Sequence, residues 1–224
     1  RAEAAAAYFE KNAADWDDLR RRHLPEADIE TAMREVAAGL EARTFVDLGV
    51  GTGRMLELFA DRYEEGVGYD LSRDMLAIAR AKLEAAGIAH AHVRQGDILA
   101  APYPSGEADI VCIHQVLHFL DEPSAAIAEA ARILSEAGRI IIVDFAPHEI
   151  EDLRAHHAHR RLGFSDQEMR RWCAAAGLAI AETRTLGPER AGDGALVVKI
   201  WVARRAEAKV PAVARAASLP GATA

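Results

Sequence analysis

The chain has 224 residues, half of them hydrophobic, with 27 basic and 35 acidic side chains and a net charge of −8. Domains run to about 150 residues, so this length fits one α/β domain with an addition; the acidic balance excludes a generally basic, nucleic-acid-binding surface. No apolar run reaches the roughly 20 residues of a membrane span, and the Ala- and Glu-rich start lacks a signal-peptide core. The two cysteines, Cys112 and Cys173, are far apart in apolar surroundings. They read as buried thiols of a reducing compartment, which predicts a cytoplasmic location. A chain that starts at Arg1 rather than Met is expected to be a processed or trimmed piece of something longer.

In chain order, Tyr8, Phe9, Ala13, Trp16 and Leu19 recur near helical spacing and predict a helix from about Glu3 to Leu24, broken at Pro25. A second helix is predicted from Asp28 to Leu40, with Ile29, Met33, Val36 and Leu40 on one side. Strands and helices then alternate. Strands are predicted at Thr44–Leu48, Gly66–Tyr69, His90–Arg94, Ala108–His114 and Arg139–Asp144. Helices fall at Gly53–Asp61, Ser72–Ala86 and Pro123–Ser135, the last two closed by Gly87 and Gly138. The strands are continuous apolar runs, as in parallel sheets covered on both faces. A polar, His-rich stretch follows from Pro147 to Arg161. Ser165 and Glu168 form a capping box that opens a further helix, ending at Gly177. Leu178–Thr185 and Leu196–Ala203 are predicted as a closing strand hairpin.

This order predicts an α/β fold, an open, mostly parallel seven-stranded sheet of Rossmann-like type with an antiparallel C-terminal hairpin. The expected organisation is an N-terminal helical cap over residues 1–42, an α/β domain over 43–204 and a tail or linker over 205–224.

The candidate site is the loop Asp47-Leu48-Gly49-Val50-Gly51-Thr52-Gly53, between a predicted strand and helix. Its glycines permit a tight turn and a close approach of ligand to backbone. A nicotinamide dehydrogenase carries a related loop, but with Gly-x-Gly-x-x-Gly spacing, whereas this one reads Gly-x-Gly-x-Gly. Asp47 would also repel a pyrophosphate, while suiting a cationic amino-acid ligand. Asp70 ends the second strand, where an acid accepts hydrogen bonds from ribose hydroxyls. Asp97 follows the third strand, where an adenine amino group needs an acceptor.

The Asp-Leu-Gly-x-Gly-Thr-Gly loop, the Tyr-Asp-x-Ser-x-x-Met-Leu segment, the Gly-Asp pair and Ala-Asp-Ile-Val with Gln-Val-Leu-His resemble class I S-adenosylmethionine-dependent methyltransferases over residues 8 to 203. The opening Tyr-Phe-Glu-Lys-Asn-Ala-Ala-Asp-Trp-Asp is similar to the small-molecule branch of ubiquinone and menaquinone methyltransferases. Together with Ala-His-His-Ala-His-Arg-Arg-Leu-Gly-Phe-Ser-Asp, it looks closer still to methyltransferase domains fused behind ArsR-like winged-helix DNA-binding domains. The resemblance implies S-adenosyl-L-methionine as cofactor, with S-adenosyl-L-homocysteine as product. Asp47, Gly49 and Gly51 would hold the methionyl end, and Gly53 would also belong to the cofactor-binding loop. Asp70 would bind the ribose, Leu71 and Met75 the adenine face, and Asp97 and Ile98 the adenine edge. Val50 is a departure, since Cys, Ala or Ser is frequent there.

By the same resemblance His114, Gln115 and His118 would lie between cofactor and acceptor. His114 ends the fourth strand, at the sheet edge where open α/β folds bind ligands. His118 is four residues on and would share its face in a helix. Either is a candidate proton acceptor, histidine titrating near pH 6.5; either is equally a packed core or rim residue. Tyr8, His148 and His157 are candidate acceptor contacts, Tyr8 from a helix over the cleft and the histidines from a polar lid. The cluster around Asp152 and His156 lacks standard metal-ligand spacing, so no metal is expected. The expected partner is a small-molecule acceptor, with no nucleic acid through this domain itself, a possible fused DNA-binding domain and a possible homodimer. A competing function is sensing of the two cofactor forms by a transcriptional regulator, without turnover.

Overall fold

A computed structural model describes residues 26–39, 42–187 and 196–207. The helix predicted from Glu3 to Leu24, with Tyr8 on it, lies outside these residues. So do Leu40, most of the loop joining the last two strands, and the chain from 208 onward.

The first described helix, α1 (Glu26–Val36), buries Ile29, Met33 and Val36 on one face. Then come β1 (Ala42–Leu48), α2 (Arg54–Leu58), β2 (Tyr63–Asp70), α3 (Arg73–Ala85), β3 (Ala91–Gln95) and β4 (Ala108–His114). A 3₁₀ turn, Leu117–Phe119, leads to α4 (Pro123–Ile133) and β5 (Leu134–Phe145). The chain continues through α5 (Glu151–His156), α6 (Asp166–Ala175), β6 (Leu178–Leu186) and β7 (Val198–Arg205).

The seven strands form one sheet in the order β3-β2-β1-β4-β5-β7-β6. β1 to β5 run parallel, and β7 is inserted antiparallel between β5 and β6. The fold is therefore the expected open Rossmann-like sheet with an antiparallel C-terminal pair. The strand order reverses between β1 and β4, which opens a crevice beyond their carboxyl ends, the usual ligand position in such sheets.

The apolar strands serve two cores. In β5, Ile141 and Val143 face the side covered by α1, α2 and α3, while Ile140 and Ile142 face α4 and α6. All four are fully buried. Complete burial of such a side chain contributes about 1.5–3 kcal/mol, which fits the interior place of β5 between β4 and β7.

Local signals behave as their chemistry dictates. The Ser72 hydroxyl accepts from the Met75 amide and starts α3. Ser165 and Glu168 form the reciprocal capping box of α6. Gly87 and Gly177, just past the ends of α3 and α6, have φ of +69° and +74°. Gly138 is a correction, because it closes no helix. α4 passes directly into β5 at Leu134, and Gly138 lies within that strand. The register slips there, with Ala108 opposite Leu134 but Ile110 opposite Arg139. A Cβ at Gly138 would come within 2.9 Å of the Ala108 carbonyl. Glycine is required by the close approach of two backbones at a bulge.

Candidate cofactor site

The crevice holds a cavity of about 510 Å³ at the carboxyl ends of β1, β2 and β4, a volume suited to a nucleotide-sized ligand. Of the residues singled out in the sequence, Asp47, Gly49, Gly51, Asp70, Leu71, Met75, Asp97, Ile98, His114 and Gln115 line it. Gly53, His118, His148 and His157 are not among its lining residues.

The glycine loop is shaped by left-handed backbone, with φ of +84° at Gly49, +49° at Gly51 and +86° at Gly53. The amides of Gly49 and Val50 donate to the Tyr69 carbonyl at 2.9 and 3.0 Å, which fastens the loop to β2. A Cβ at Gly49 would sit 2.8 Å from Val116 Cγ2, whereas one at Gly51 would meet nothing within 4 Å. Gly53 lies under the loop instead, its missing Cβ 3.1 Å from Ala79 of α3. Its role is packing of loop on helix.

Asp70 is fixed by both oxygens. Oδ2 accepts from the Gly51 amide and Oδ1 from the Ser72 amide, each at 2.9 Å. A carboxylate has about four acceptor positions, so each oxygen retains capacity for a hydroxyl. Burial pushes the Asp70 carboxyl above its ordinary range, and the amide bonds oppose that shift. Asp97 accepts from the Leu99 amide at 2.9 Å, closing a tight turn that sets Ile98 into the wall. Among the described residues the exposed large hydrophobics are Leu71 and Leu99, at 60% and 39%, and both line the cavity. They present an apolar surface suited to a flat ring.

Five acids (Asp47, Asp70, Asp97, Asp121 and Glu122) line the cavity against two arginines, Arg54 and Arg160. Both arginines already face carboxylates. Glu30 holds Arg54 through two bonds of 2.6 Å, and Asp121 holds Arg160 at 2.5 Å. The acidic wall disfavours a pyrophosphate and favours a cation with hydroxyls. Asp47 is buried at 1% exposure. These residues fit S-adenosylmethionine: a buried acid for its ammonium, the open space at Gly51 for its amino-acid chain, Asp70 for its ribose, and the Leu71–Leu99 surface for its adenine.

Gln115 follows β4 with φ of +52°. A non-glycine residue there costs about 1–2 kcal/mol, a strain found mainly at functional sites. Its amide donates to the Val143 carbonyl at 2.7 Å, which holds the conformation.

His118 departs from its expected place. The segment after His114 is not a continuous helix, so the four-residue spacing does not put the two rings on one face. The left-handed turn at Gln115 and the 3₁₀ turn rotate His118 onto the end of β5, with 3% exposure. Its Nδ1 is 2.8 Å from Asp144 Oδ1 and donates to it. Its ring stacks on His159 at 4.1 Å, and its carbonyl accepts from Arg160 and Arg161. This is a structural clasp joining β5, the 3₁₀ turn and the segment after α5.

His148 packs edge-on to Phe145. His157 has its Nε2 3.8 Å from Asp152, and Asp152 meets His156 at 2.7 Å on the exposed face of α5. No group of three metal-ligating side chains occurs among the described residues. Both thiols are buried and held protonated by burial, that of Cys173 pushed up to about 11. Neither is poised as a nucleophile.

Burial, chiefly, lowers the His148 pKa. Below the ordinary histidine range of about 6.5 the unfolded chain therefore takes up protons that the fold resists. Stability should fall as pH drops from about 6.5 toward the depressed folded value. Denaturant melts between pH 7 and 5 should show this fall, reduced in His148→Gln.

Arg54, Phe119 and Arg160 also line the cavity, and the sequence pattern does not point to them. Arg54 follows Gly53 directly, but its place in the site depends on Glu30 of another helix. Arg160 is brought in by an ion pair to a residue 39 positions away.

Residues 46–142 match the protein family described as "Methyltransferase domain". Fold, cavity and match agree: over residues 46–142 the α/β unit is similar to a methyltransferase domain, with its cavity at the carboxyl edge of the sheet. Among curated proteins, the chain is similar to the demethylmenaquinone methyltransferase of Thermus thermophilus, with 34% identity over 62% of this chain and 64% of that one. The match thus spans less than two thirds of that relative's length. Among solved structures, YcgJ of Bacillus subtilis superposes with a TM-score of 0.65 at 20% identity, covering 80% of this chain and 98% of that one. Geranyl diphosphate C-methyltransferase from Streptomyces coelicolor, solved with Mg²⁺, geranyl diphosphate and S-adenosyl-L-homocysteine, gives 0.69 at 18% identity, covering 81% and 79%. Both structures share the fold. No described helix is long and apolar enough to cross a membrane.

Proposed function

We propose that this chain transfers a methyl group from S-adenosylmethionine to a small-molecule acceptor. The observation that carries the reading is the acidic cavity, with Asp70 fixed by the Gly51 and Ser72 amides beside the buried Asp47. The bound cofactor supplies a methyl group on a sulfonium, whose departure as a neutral thioether makes in-line displacement favourable. The protein's task is then to align donor and acceptor and to exclude water.

Asp47, Gly49 and Gly51 hold the methionyl end, Asp70 the ribose, and Leu71, Met75, Asp97 and Ile98 the adenine. Gln115 and His114, at the end of β4, border the acceptor. His114 is the candidate base for an oxygen or nitrogen acceptor, since it is half-buried and lines the cavity. His118 supports this wall from behind. The demethylmenaquinone methyltransferase likeness favours a small organic acceptor.

Incubation of the full chain with methyl-labelled cofactor and a broad acceptor panel tests the reading. A labelled small product is expected. Tight S-adenosylhomocysteine binding without any product would favour cofactor sensing instead. Asp70→Ala should weaken S-adenosylhomocysteine binding about ten- to a hundredfold, the worth of hydrogen bonds to a charged group, measured by calorimetry. An unchanged affinity would remove Asp70 from the site.

A further inference from the structure

The cofactor's amino-acid end carries a carboxylate as well as an ammonium. The cavity wall is acidic, so a carboxylate placed there needs a local cation. Asp47 and Arg54 line the cavity from one strand–loop–helix turn, on either side of the three glycines. Arg160 comes from another part of the chain and is committed to Asp121.

Arg54 has five N–H donors. Nε and Nη2 each donate to Glu30 of α1 at 2.6 Å, a bidentate clamp that fixes the plane of the guanidinium. Nη1 donates no hydrogen bond among the described residues, and Glu57 Oε2 stands 3.6 Å from it. The Glu30 side chain is 17% exposed and that of Arg54 is 36% exposed. The pair is thus sheltered on the Glu30 side, while the Nη1 edge is partly exposed and, among the described residues, meets only Glu57, at ion-pair but not hydrogen-bond distance.

We infer that Arg54 binds the carboxylate of the cofactor through its Nη1 edge and that Glu30 is its positioning residue. This rests on the S-adenosylmethionine reading given above. It gives α1 a part in cofactor recognition, since the helix supplies the anchor that orients the cation. An amino-acid moiety would then be gripped at both charges, by Asp47 at the ammonium and Arg54 at the carboxylate.

The test compares two ligands on the full chain by calorimetry: S-adenosylhomocysteine and its decarboxylated analogue S-adenosyl-3-thiopropylamine, which keeps the ammonium and lacks the carboxylate. Arg54→Met should weaken S-adenosylhomocysteine binding about ten- to a hundredfold and leave analogue binding within about threefold. Arg54→Lys should recover part of the loss. Glu30→Gln should lower the preference for S-adenosylhomocysteine over the analogue by a smaller factor. Analogue binding also reports that each variant is folded. Equal losses for both ligands, or none for either, would overturn the assignment. A wild-type chain that binds neither ligand would overturn the cofactor reading beneath it.

Discussion

Asp144→Ala is expected to lower the unfolding free energy by about 3–5 kcal/mol, the usual cost of breaking a buried charged or polar pair by removing one partner. Asp144 is fully buried and accepts from His118 Nδ1 at 2.8 Å, the His118 amide at 3.3 Å and the Phe145 amide at 2.8 Å. Alanine would leave these donors in a site without water access, and each unsatisfied donor costs about 1–3 kcal/mol. The loss reaches beyond the pair. His118 also stacks on His159, and its carbonyl holds the amides of Arg160 and Arg161. Denaturant melts should therefore show a lower midpoint, with Asp144→Asn recovering part of it. A melt that stayed unchanged while turnover fell would return His118 to a catalytic role.

His114→Ala is expected to reduce kcat by about 10²- to 10⁴-fold, the usual contribution of a positioned general base, on an oxygen or nitrogen acceptor. The affinity for S-adenosylhomocysteine should stay within about threefold, because the cofactor's charged groups meet other residues. His114 ends the central strand β4 on the cavity wall, paired with the fully buried Val143 of β5, so its backbone is set by the sheet interior. A kcat loss below about threefold, measured with the acceptor found in the panel, would mean that alignment alone suffices and that no base acts at His114. A matching fall in cofactor affinity would place His114 in cofactor binding instead.

The core of the sheet was legible in the sequence because β1, β4 and β5 are apolar runs, buried over most of their length and bounded by turn or cap residues. The glycine loop, Asp70 and Asp97 were legible because each follows a strand at its carboxyl end, where backbone geometry alone dictates proximity. Gly138 was misread because a glycine after a helix looks the same whether it caps the helix or relieves a bulge; only the register slip opposite Ala108 distinguishes them. His118 was placed on the cleft by helical spacing, and the left-handed Gln115 breaks that spacing. Local pattern carries no sign of a left-handed glutamine, which is held by a bond to Val143. Arg54 escaped notice because its significance depends on Glu30, 24 residues earlier on another helix.

The central claim is that the acidic cavity around the glycine loop is built for S-adenosylmethionine and not for a phosphate-bearing dinucleotide. Calorimetric titration of the full chain with S-adenosylhomocysteine and, separately, with NAD tests it most directly. Saturable one-to-one binding of S-adenosylhomocysteine, abolished or sharply weakened in Asp70→Ala, with no heat from NAD, is the expected result. Binding of NAD, or no binding of S-adenosylhomocysteine, would contradict it.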